Sequence, residues 1–176
     1  SHEACSLAGA FKLDRLCLVY DSNNITIEGT ADLALVDDTR TRFEAYGWKV
    51  LECDGHDFDA IDRAFRKALK VVGQPTLIIA KTHIGMGCPT KQDTSAVHGA
   101  PLGAEELAGL KRNLGFDPEK FFDVPGDVYD WFEDRGAACH RMNLRWKKAL
   151  RDWTAAHADL AAARAAVRAS FDVTRV

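Results

Sequence analysis

The sequence has 176 residues, of which 47% are hydrophobic and 28% are charged, and its formal net charge is −3. Such a length and composition are typical of one soluble globular domain with a real core, and no apolar stretch is long enough to span a membrane. Lys and Arg are dispersed along an acidic chain without interleaved aromatic residues, which argues against a nucleic-acid-binding protein.

The first predicted element is a helix over about residues 1–12. Small and apolar side chains recur along it, among them Ala4, Cys5 and Ala8, which is typical of a helix packed closely under a sheet. The sequence starts at Ser1 without an initiator Met. We therefore expect the chain to be a fragment or a processed piece of a longer protein.

The next element is a predicted strand, Leu-Cys-Leu-Val-Tyr at residues 16–20, which ends abruptly in Asp-Ser-Asn-Asn at residues 21–24. An uninterrupted apolar run suits a strand that is covered on both faces in a parallel sheet. In open α/β sheets, ligands bind beyond the carboxyl ends of the strands. The polar loop is therefore where we expect a site.

The oxygens of this loop indicate a metal site. Asn23 offers a side-chain amide oxygen, and the backbone carbonyl of Ile25 can turn to the same side. Two neutral, hard ligands suit Mg²⁺ or Ca²⁺, and Mg²⁺ commonly takes water or phosphate oxygens as well, so a phosphorylated cofactor is a natural companion. A carboxylate ligand is missing from the motif. The alternative is an ordinary turn, which two Asn residues after a strand often form.

Helices and strands then alternate along the chain. The patterns predict a helix from residues 37–39 to Gly47, a strand at residues 48–52, a helix at residues 58–72 and a strand at residues 75–80. This alternation is that of parallel α/β units. The predicted fold class is therefore α/β, with a parallel sheet and flanking helices.

Two further stretches are expected near the same edge of the sheet. A Gly-rich loop at residues 81–89 leaves the last strand, and in a parallel sheet it should face the Asn23 loop. His98 lies in a longer loop with two Gly and one Pro nearby, and long ordered loops are often functional. The alternative for His98 is a solvated structural histidine. His56 is expected to precede the helix cap at Asp57, with an alternative role as a wall of the site.

The second half of the sequence is predicted to be helical. A helix begins at Ala104, and residues 137–170 are rich in Ala and Arg with the spacing of one or two amphipathic helices. The five cysteines include no Cys-x-x-Cys pair. We interpret them as reduced residues of a cytoplasmic protein, with Cys17 and Cys53 buried in strands.

Five blocks of the sequence carry a resemblance to a known family. They are Tyr-Asp-Ser-Asn-Asn-Ile-Thr-Ile-Glu-Gly at residues 20–29, Asp-Asp-Thr at 37–39 with Arg-Phe-Glu-Ala-Tyr-Gly-Trp at 42–48, Asp-Gly-His-Asp at 54–57, Lys-Thr-His-Ile-Gly at 81–85 and His-Gly-Ala-Pro-Leu at 98–102. Together, and in this order, they resemble transketolase. The resemblance extends from Ser1 to about Trp131.

The resemblance implies the thiamine-diphosphate-binding fold. Residues 1–135 would form part of the diphosphate-binding domain, and residues 136–176 would form a helical tail leading to the interdomain linker. The family has an upstream Gly-Asp-Gly motif whose Asp is the carboxylate ligand of the metal. Because this sequence lacks that motif, the domain is expected to be truncated at its N-terminus and active only together with the missing domains.

The resemblance also implies a site and a reaction. Asn23 and Ile25 would bind Mg²⁺ (or Ca²⁺), and Ile27 and Ile84 would be apolar walls against the cofactor. His98, the catalytic candidate, would contact the cofactor diphosphate and the donor substrate near its reacting carbonyl. The implied reaction transfers a two-carbon ketol unit from a ketose phosphate to an aldose phosphate in the pentose phosphate pathway. The implied cofactor is thiamine diphosphate, and the implied partners are sugar phosphates and the remaining transketolase domains in a homodimer.

The loop before His98 departs from the family. Relatives often carry another His or a Gly between Lys91 and His98, whereas this sequence has Gln-Asp-Thr-Ser-Ala-Val at residues 92–97. The stretch therefore supplies no second imidazole to the site, while His98 is retained.

Two other functions remain open at this point. The residues fit another thiamine-diphosphate enzyme of the dihydroxyacetone synthase or deoxyxylulose-phosphate synthase type. They also fit a non-catalytic binding module that docks on a partner chain through an exposed sheet edge.

Overall fold

The computed structural model describes residues 2–170. Within that range the strands are β1 (Cys17–Ser22), β2 (Lys49–Asp54) and β3 (Thr76–Lys81), and the α-helices are α1 (His2–Ala10), α2 (Thr39–Ala45), α3 (Phe58–Ala68), α4 (Ala104–Asn113), α5 (Gly126–Ala156) and α6 (Ala158–Ser170). Short 3₁₀ helices lie at Ala31–Leu33 and Ser95–Val97. Ser1 of the predicted first helix and residues 171–176 of the predicted tail lie outside the described residues. The chain forms two compact units, one ending at Lys120 and the other beginning at Phe121.

The sheet of the first unit has the order β1-β3-β2, and both pairs of strands are parallel. Cys17 of β1 and Lys49 of β2 both pair with Thr76, the first residue of β3. This confirms the predicted parallel sheet with flanking helices. All three carboxyl ends consequently lie at one edge of the sheet.

One face of the sheet packs against α1 and α2. Leu77 and Ile79 of β3 form a buried cluster there with Ala8, Trp48 and Val50. The indole Nε1 of Trp48 donates a hydrogen bond to the carbonyl oxygen of Cys5 (2.8 Å), which ties α1 to the start of β2. Ala8 is buried in this cluster and Cys5 packs against it, which confirms the predicted small-residue face of α1.

The other face packs against α3. Ile78 of β3 forms a buried cluster with Ala64 and Ala68 of the helix. The Asp57 carboxylate caps α3 by accepting hydrogen bonds from the backbone N–H groups of Asp59 and Ala60. The predicted end of this helix at residue 72 was wrong. From residue 68 onward the chain tightens into turns, and the Asp14 carboxylate accepts a hydrogen bond from the N–H of Gly73 (3.1 Å).

The prediction that β1 is covered on both faces was also wrong. Leu18 and Val19 are 40% and 48% exposed. Among residues 2–170, β1 is an edge strand with β3 as its one partner, so its outer side carries no neighbouring strand. Cys17 is exposed and Cys53 half-buried, contrary to the expectation that both are buried, and Cys88 is the buried cysteine. Burial raises the pKa of the Cys88 thiol.

The described part of the second unit contains two helices. α5 runs for 31 residues and α6 follows it after His157, which confirms the helices predicted over residues 137–170. α5 continues through residue 135 without a break, so the division into residues 1–135 and 136–176 stays a prediction. No helix among the described residues has both the length and the apolar character needed to cross a bilayer.

Candidate functional site

A cavity of about 720 Å³ lies at the carboxyl edge of the sheet. All three strands contribute to it through residues 22–25, 52–54 and 81–83, together with Thr30 and Asp93. This is the position at which open α/β sheets bind ligands. The cavity therefore lies beside the polar loop after β1, where a site was expected from the sequence.

The Asn23 loop is a tight, ordered turn. The side-chain oxygen of Asn23 accepts a hydrogen bond from the N–H of Ile25 (3.0 Å), and Asn24 between them has a left-handed φ of 60°. Ile25 then forms an isolated antiparallel bridge with Thr30. The hydrogen bonds of that bridge join the residues on either side, Ala31 to Asn24 and Thr26 to Gly29. The carbonyl oxygen of Ile25 is therefore not used by the bridge.

The loops that follow β1 and β3 line the same cavity, and the strand ends from which they leave are in contact. The Thr82 hydroxyl donates a hydrogen bond to the Asp21 carboxylate, and the Lys81 ammonium lies 3.4 Å from the Ser22 hydroxyl oxygen. The expectation that these two loops face each other is confirmed. The contact fixes the Asn23 turn relative to the Gly-rich loop.

A second set of contacts joins the loop after β2 to the loop after β3. The backbone N–H of His83 donates a hydrogen bond to Nε2 of His56 (2.8 Å). The two imidazole rings stack with a centroid distance of 5.7 Å and an interplanar angle of 16°. Nδ1 of His83 lies 2.9 Å from the Asp93 carboxylate. His83 and Asp93 line the cavity.

The chain between the Gly-rich loop and α4 is held by Glu106. Its carboxylate accepts hydrogen bonds from the N–H of Thr90 (2.8 Å), the hydroxyl of Thr90 (2.9 Å) and the N–H of Lys91 (3.1 Å). These bonds, that from the Thr90 N–H foremost, hold the pKa of Glu106 below its ordinary value. The segment that leads to His98 is therefore anchored at its start.

The charges around the cavity favour a cation. Glu52, Asp54 and Asp93 are acidic and Lys81 is basic, so an anionic diphosphate fits here together with a positive ion. No group of three or more His, Cys, Asp or Glu side chains is arranged to bind a metal within residues 2–170. The donors present, a neutral amide oxygen and a carbonyl oxygen, fit Mg²⁺ or Ca²⁺ that also takes phosphate oxygens.

Comparison with known proteins gives the family. The sequence matches the family described as transketolase, thiamine diphosphate binding domain, over residues 1–170. This chain belongs to the transketolase family. Its sheet and flanking helices have the thiamine-diphosphate-binding fold of transketolases.

Individual transketolases agree in sequence and in structure. That of Staphylococcus epidermidis is 45% identical over 163 residues, which are 92% of this chain and 24% of the relative. The solved transketolase of Leishmania mexicana has a TM-score of 0.86 at 37% identity, covering 93% of this chain and 25% of the other. A Pichia stipitis transketolase in complex with sedoheptulose 7-phosphate has a TM-score of 0.83 at 35% identity, covering 91% and 24%. This chain therefore spans about a quarter of the length of these transketolases.

The structure brings together only some of the residues predicted for a transketolase site. Asn23 and Ile25 line the cavity. Ile84 is half-buried in the loop after β3, Ile27 is 69% exposed, and His98 is an exposed residue at the end of the 3₁₀ helix Ser95–Val97. These three are not among the residues that line the cavity. The roles of all five residues stay predictions.

His83 and Asp93 line the cavity but were not predicted as site residues from the sequence. The signal for His83 was its place two residues after the end of β3, at the edge where His56 also follows a strand. Asp93 gave no such signal, because its contact with His83 spans ten residues of loop. His56 is not among the residues that line the cavity, so its alternative role as a wall of the site stays a prediction. It accepts a hydrogen bond from the backbone N–H of the cavity residue His83.

Proposed function

We propose that this chain forms the diphosphate-binding part of a transketolase. The complete enzyme would transfer a two-carbon ketol unit from a ketose phosphate to an aldose phosphate, with thiamine diphosphate and Mg²⁺ (or Ca²⁺) as cofactors. It would act in the cytoplasm as a homodimer in the pentose phosphate pathway. The Pichia stipitis relative solved with sedoheptulose 7-phosphate supports a sugar phosphate as the substrate class.

The turn at Asn23 is the observation that carries this proposal. It places an amide oxygen and an unused carbonyl oxygen of Ile25 at a cavity of net negative lining, beyond the carboxyl end of β1. Such a donor set binds a hard divalent cation weakly on its own and well when a diphosphate completes the shell. The site therefore suits a metal that arrives with a diphosphate.

The residues of this chain would bind and orient rather than perform the bond chemistry. Asn23 and Ile25 would hold the metal, and the contact between Thr82 and Asp21 would keep their turn in place. Ile27 and Ile84 would exclude water from the cofactor, and His98 would donate hydrogen bonds to diphosphate and substrate oxygens. The cofactor, when bound, supplies the carbanion stabilisation that breaks and forms the carbon–carbon bond.

The test uses the full-length protein that contains this chain. With Mg²⁺ and thiamine diphosphate it should transfer the ketol unit from xylulose 5-phosphate to ribose 5-phosphate, and a chelator should abolish the rate. A rate that does not depend on protein, metal and cofactor together would refute the proposal.

The same assay separates the other thiamine-diphosphate enzymes. Transfer of the ketol unit to a one-carbon aldehyde yields dihydroxyacetone, and transfer of an acetyl unit yields a deoxyketose. A marked preference for formaldehyde, or for a keto-acid donor, would favour the dihydroxyacetone synthase or the deoxyxylulose-phosphate synthase type.

A non-catalytic binding module stays a second candidate because β1 is an exposed edge strand. Its signature would be a full-length protein that binds a partner chain and transfers no ketol unit.

A further inference from the structure

A chain of three side chains supports one wall of the cavity. His56 follows β2, His83 follows β3 and Asp93 lies in the next loop, and the stacked imidazoles and the carboxylate are in contact in that order. None of these residues was assigned a role from the sequence resemblance. The question is what the ring of His83 does at a cavity that Asn23 and Ile25 also line.

The contacts determine which nitrogen of each ring is available. Nε2 of His56 accepts a hydrogen bond from the N–H of His83, so this nitrogen carries no proton. Nδ1 of His83 lies 2.9 and 3.0 Å from the two oxygens of Asp93. A carboxylate only accepts, so Nδ1 must be the donor. Asp93 thereby fixes the orientation of the ring, and Nε2 of His83 is the nitrogen left for a ligand.

Asp93 adopts a backbone conformation that glycine prefers. Its φ is +57°, in the left-handed region that side chains other than those of Asn and Asp rarely enter. Its own N–H donates to the carbonyl oxygen of Ile84 (3.0 Å). Asp93 therefore adopts a rare backbone conformation while its carboxylate contacts the ring of His83 and its N–H binds the carbonyl of Ile84.

We propose that His83 contacts the cofactor, with its Nε2 hydrogen-bonded to a phosphoryl oxygen of the diphosphate in the cavity that Asn23 and Ile25 line. The proposal rests on the transketolase function proposed above and adds a residue to it. Asp93 and His56 are positioning residues in this arrangement, since they act through His83. His83 would then supply, from the loop after β3, the second imidazole that residues 92–97 do not provide.

A metal on the Asn23 turn is what makes a phosphoryl oxygen the partner, because the cavity lining alone carries more negative than positive charge. The cavity presents the carboxylates of Glu52 and Asp54 from β2 and the ammonium of Lys81 from β3. A metal on Asn23 and Ile25 would attract the diphosphate toward the carboxyl ends of β1 and β3, where His83 lies. With Nδ1 donating to Asp93, Nε2 can donate to an anionic oxygen when the ring is an imidazolium, in which both nitrogens carry protons. Such charge-assisted hydrogen bonds are strong.

Two substitutions of His83 distinguish its contact with the ligand through Nε2 from its hydrogen bond to Asp93 through Nδ1. In His83→Asn, the amide nitrogen takes the approximate place of Nδ1, so the bond to Asp93 is retained and the contact to the ligand is lost. In His83→Gln, the amide nitrogen takes the approximate place of Nε2, so the ligand contact is retained and the bond to Asp93 is lost. We expect His83→Asn to raise the Kd of magnesium–thiamine diphosphate by on the order of tenfold, and His83→Gln by less than about threefold.

The measurement is calorimetric titration of the full-length apo-protein with thiamine diphosphate at fixed Mg²⁺. A His83→Gln variant that binds as weakly as His83→Asn or more weakly, or two variants that bind like the wild type, would overturn the proposal. Equal thermal midpoints of the apo-proteins show that each variant is folded. A wild type that does not bind the cofactor would overturn the proposed function itself, which makes the two failures distinguishable.

A spectroscopic signal gives an independent readout. In protein labelled at the histidine rings, the resonance that disappears in His83→Asn should shift when magnesium–thiamine diphosphate is added to the wild type. Asp93→Asn, which tolerates the left-handed backbone, should retain that shift in reduced amplitude and raise the Kd about twofold to fivefold. A His83 resonance that does not respond to the cofactor would contradict the contact.

Discussion

β1 and β3 have equally apolar sequences, and each ends in a loop of the candidate site. Nevertheless, Leu77, the second residue of β3, is fully buried, whereas its partner Leu18 in β1 is 40% exposed. The difference lies in their places in the sheet, because β3 has a strand on each side and β1 has one. One half of the site thus rests on a rigid central strand, and the other half, with Asn23 and Ile25, rests on an exposed edge.

This contrast indicates how the site depends on the rest of the protein. The exposed side chains of β1 would be buried only if another segment packed against this strand. We expect the difference between β1 and β3 to be measurable in activity, stability and association.

We expect the isolated 176-residue chain to have no measurable ketol-transfer activity. Asn23 and Ile25 would supply only part of the proposed metal shell, and residues 2–170 contain no group of three or more His, Cys, Asp or Glu side chains arranged to hold a metal. The differential stabilisation that catalysis needs is therefore absent. The purified chain with Mg²⁺ and cofactor should stay at background in the xylulose 5-phosphate and ribose 5-phosphate assay. A rate proportional to chain concentration would show that β1 needs no further cover.

Substitution of the paired leucines compares the two strands directly. Leu77→Ala should destabilise the chain by about 2–5 kcal/mol, because it leaves a cavity in a close-packed core. Leu18→Ala should cost about 1 kcal/mol or less, since much of this side chain is already in water. Urea denaturation followed by circular dichroism measures both. Equal losses would mean that β1 is covered in solution, through self-association for example.

His98→Ala and Asn23→Ala test the two parts of the candidate site. Asn23 directly follows β1, and His98 lies in the chain between β3 and α4. In the full-length enzyme His98→Ala should lower kcat/KM by a factor equivalent to about 2–4 kcal/mol, since it would remove the donor proposed for diphosphate and substrate oxygens. Saturating cofactor should not restore the rate. Asn23→Ala should instead weaken binding of metal and cofactor, and higher concentrations of both should rescue it in part.

Matched variants serve as controls for this pair. Asn23→Asp keeps an oxygen that can accept the N–H of Ile25 and bind the metal, and His98→Gln keeps an amide donor near the place of Nε2. Both should be milder than the alanine variants. An Asn23→Ala enzyme without rescue, together with a His98→Ala enzyme that cofactor and metal restore fully, would reverse the assignment of the two loops.

The sequence was sufficient for the parallel sheet, because Ile78 and its neighbours in β3 and the helix patterns on either side are local signals. It was also sufficient for the Asn23 turn. The burial of β1 was not predictable, since Val19 looks the same in a central and an edge strand. The contact between His83 and Asp93 depends on how the loop between them folds back. The spacing of apolar residues, which predicts helices and strands, does not predict the path of such a loop. The end of α3 was missed because Leu69 and Val72 extend the apolar pattern beyond the last helical turn.

The exposed edge should also make the isolated chain associate. Unpaired backbone groups and the exposed side chains of Leu18 and Val19 invite strand pairing between copies. Val19→Lys should reduce this association severalfold, because charged residues block edge-to-edge pairing. Sedimentation velocity and dye binding measure it. A wild-type chain that is already monodisperse and melts cooperatively would contradict the expectation.

The smallest effect concerns Glu106, which anchors the loop that continues from β3. Its pKa is lowered in the folded chain by the N–H of Thr90, so the carboxylate stabilises the fold above the pKa of an unfolded glutamate. That stabilisation is lost as the pH falls below about 4.3 through the lower folded value. Denaturation midpoints of the wild type and Glu106→Gln should therefore differ near neutral pH and converge in acid. A difference that is constant with pH would exclude this role.

Cys17 offers a chemical reporter of the open edge. It is the first residue of β1 and is exposed, although partial desolvation raises the pKa of its thiol. Mild alkaline alkylation should therefore modify Cys17 in the isolated chain and spare the buried Cys88. In the assembled protein a strand laid along β1 would shield the thiol. Mass spectrometry of this one cysteine would thus report, during assembly, when the edge strand that leads to Asn23 becomes covered.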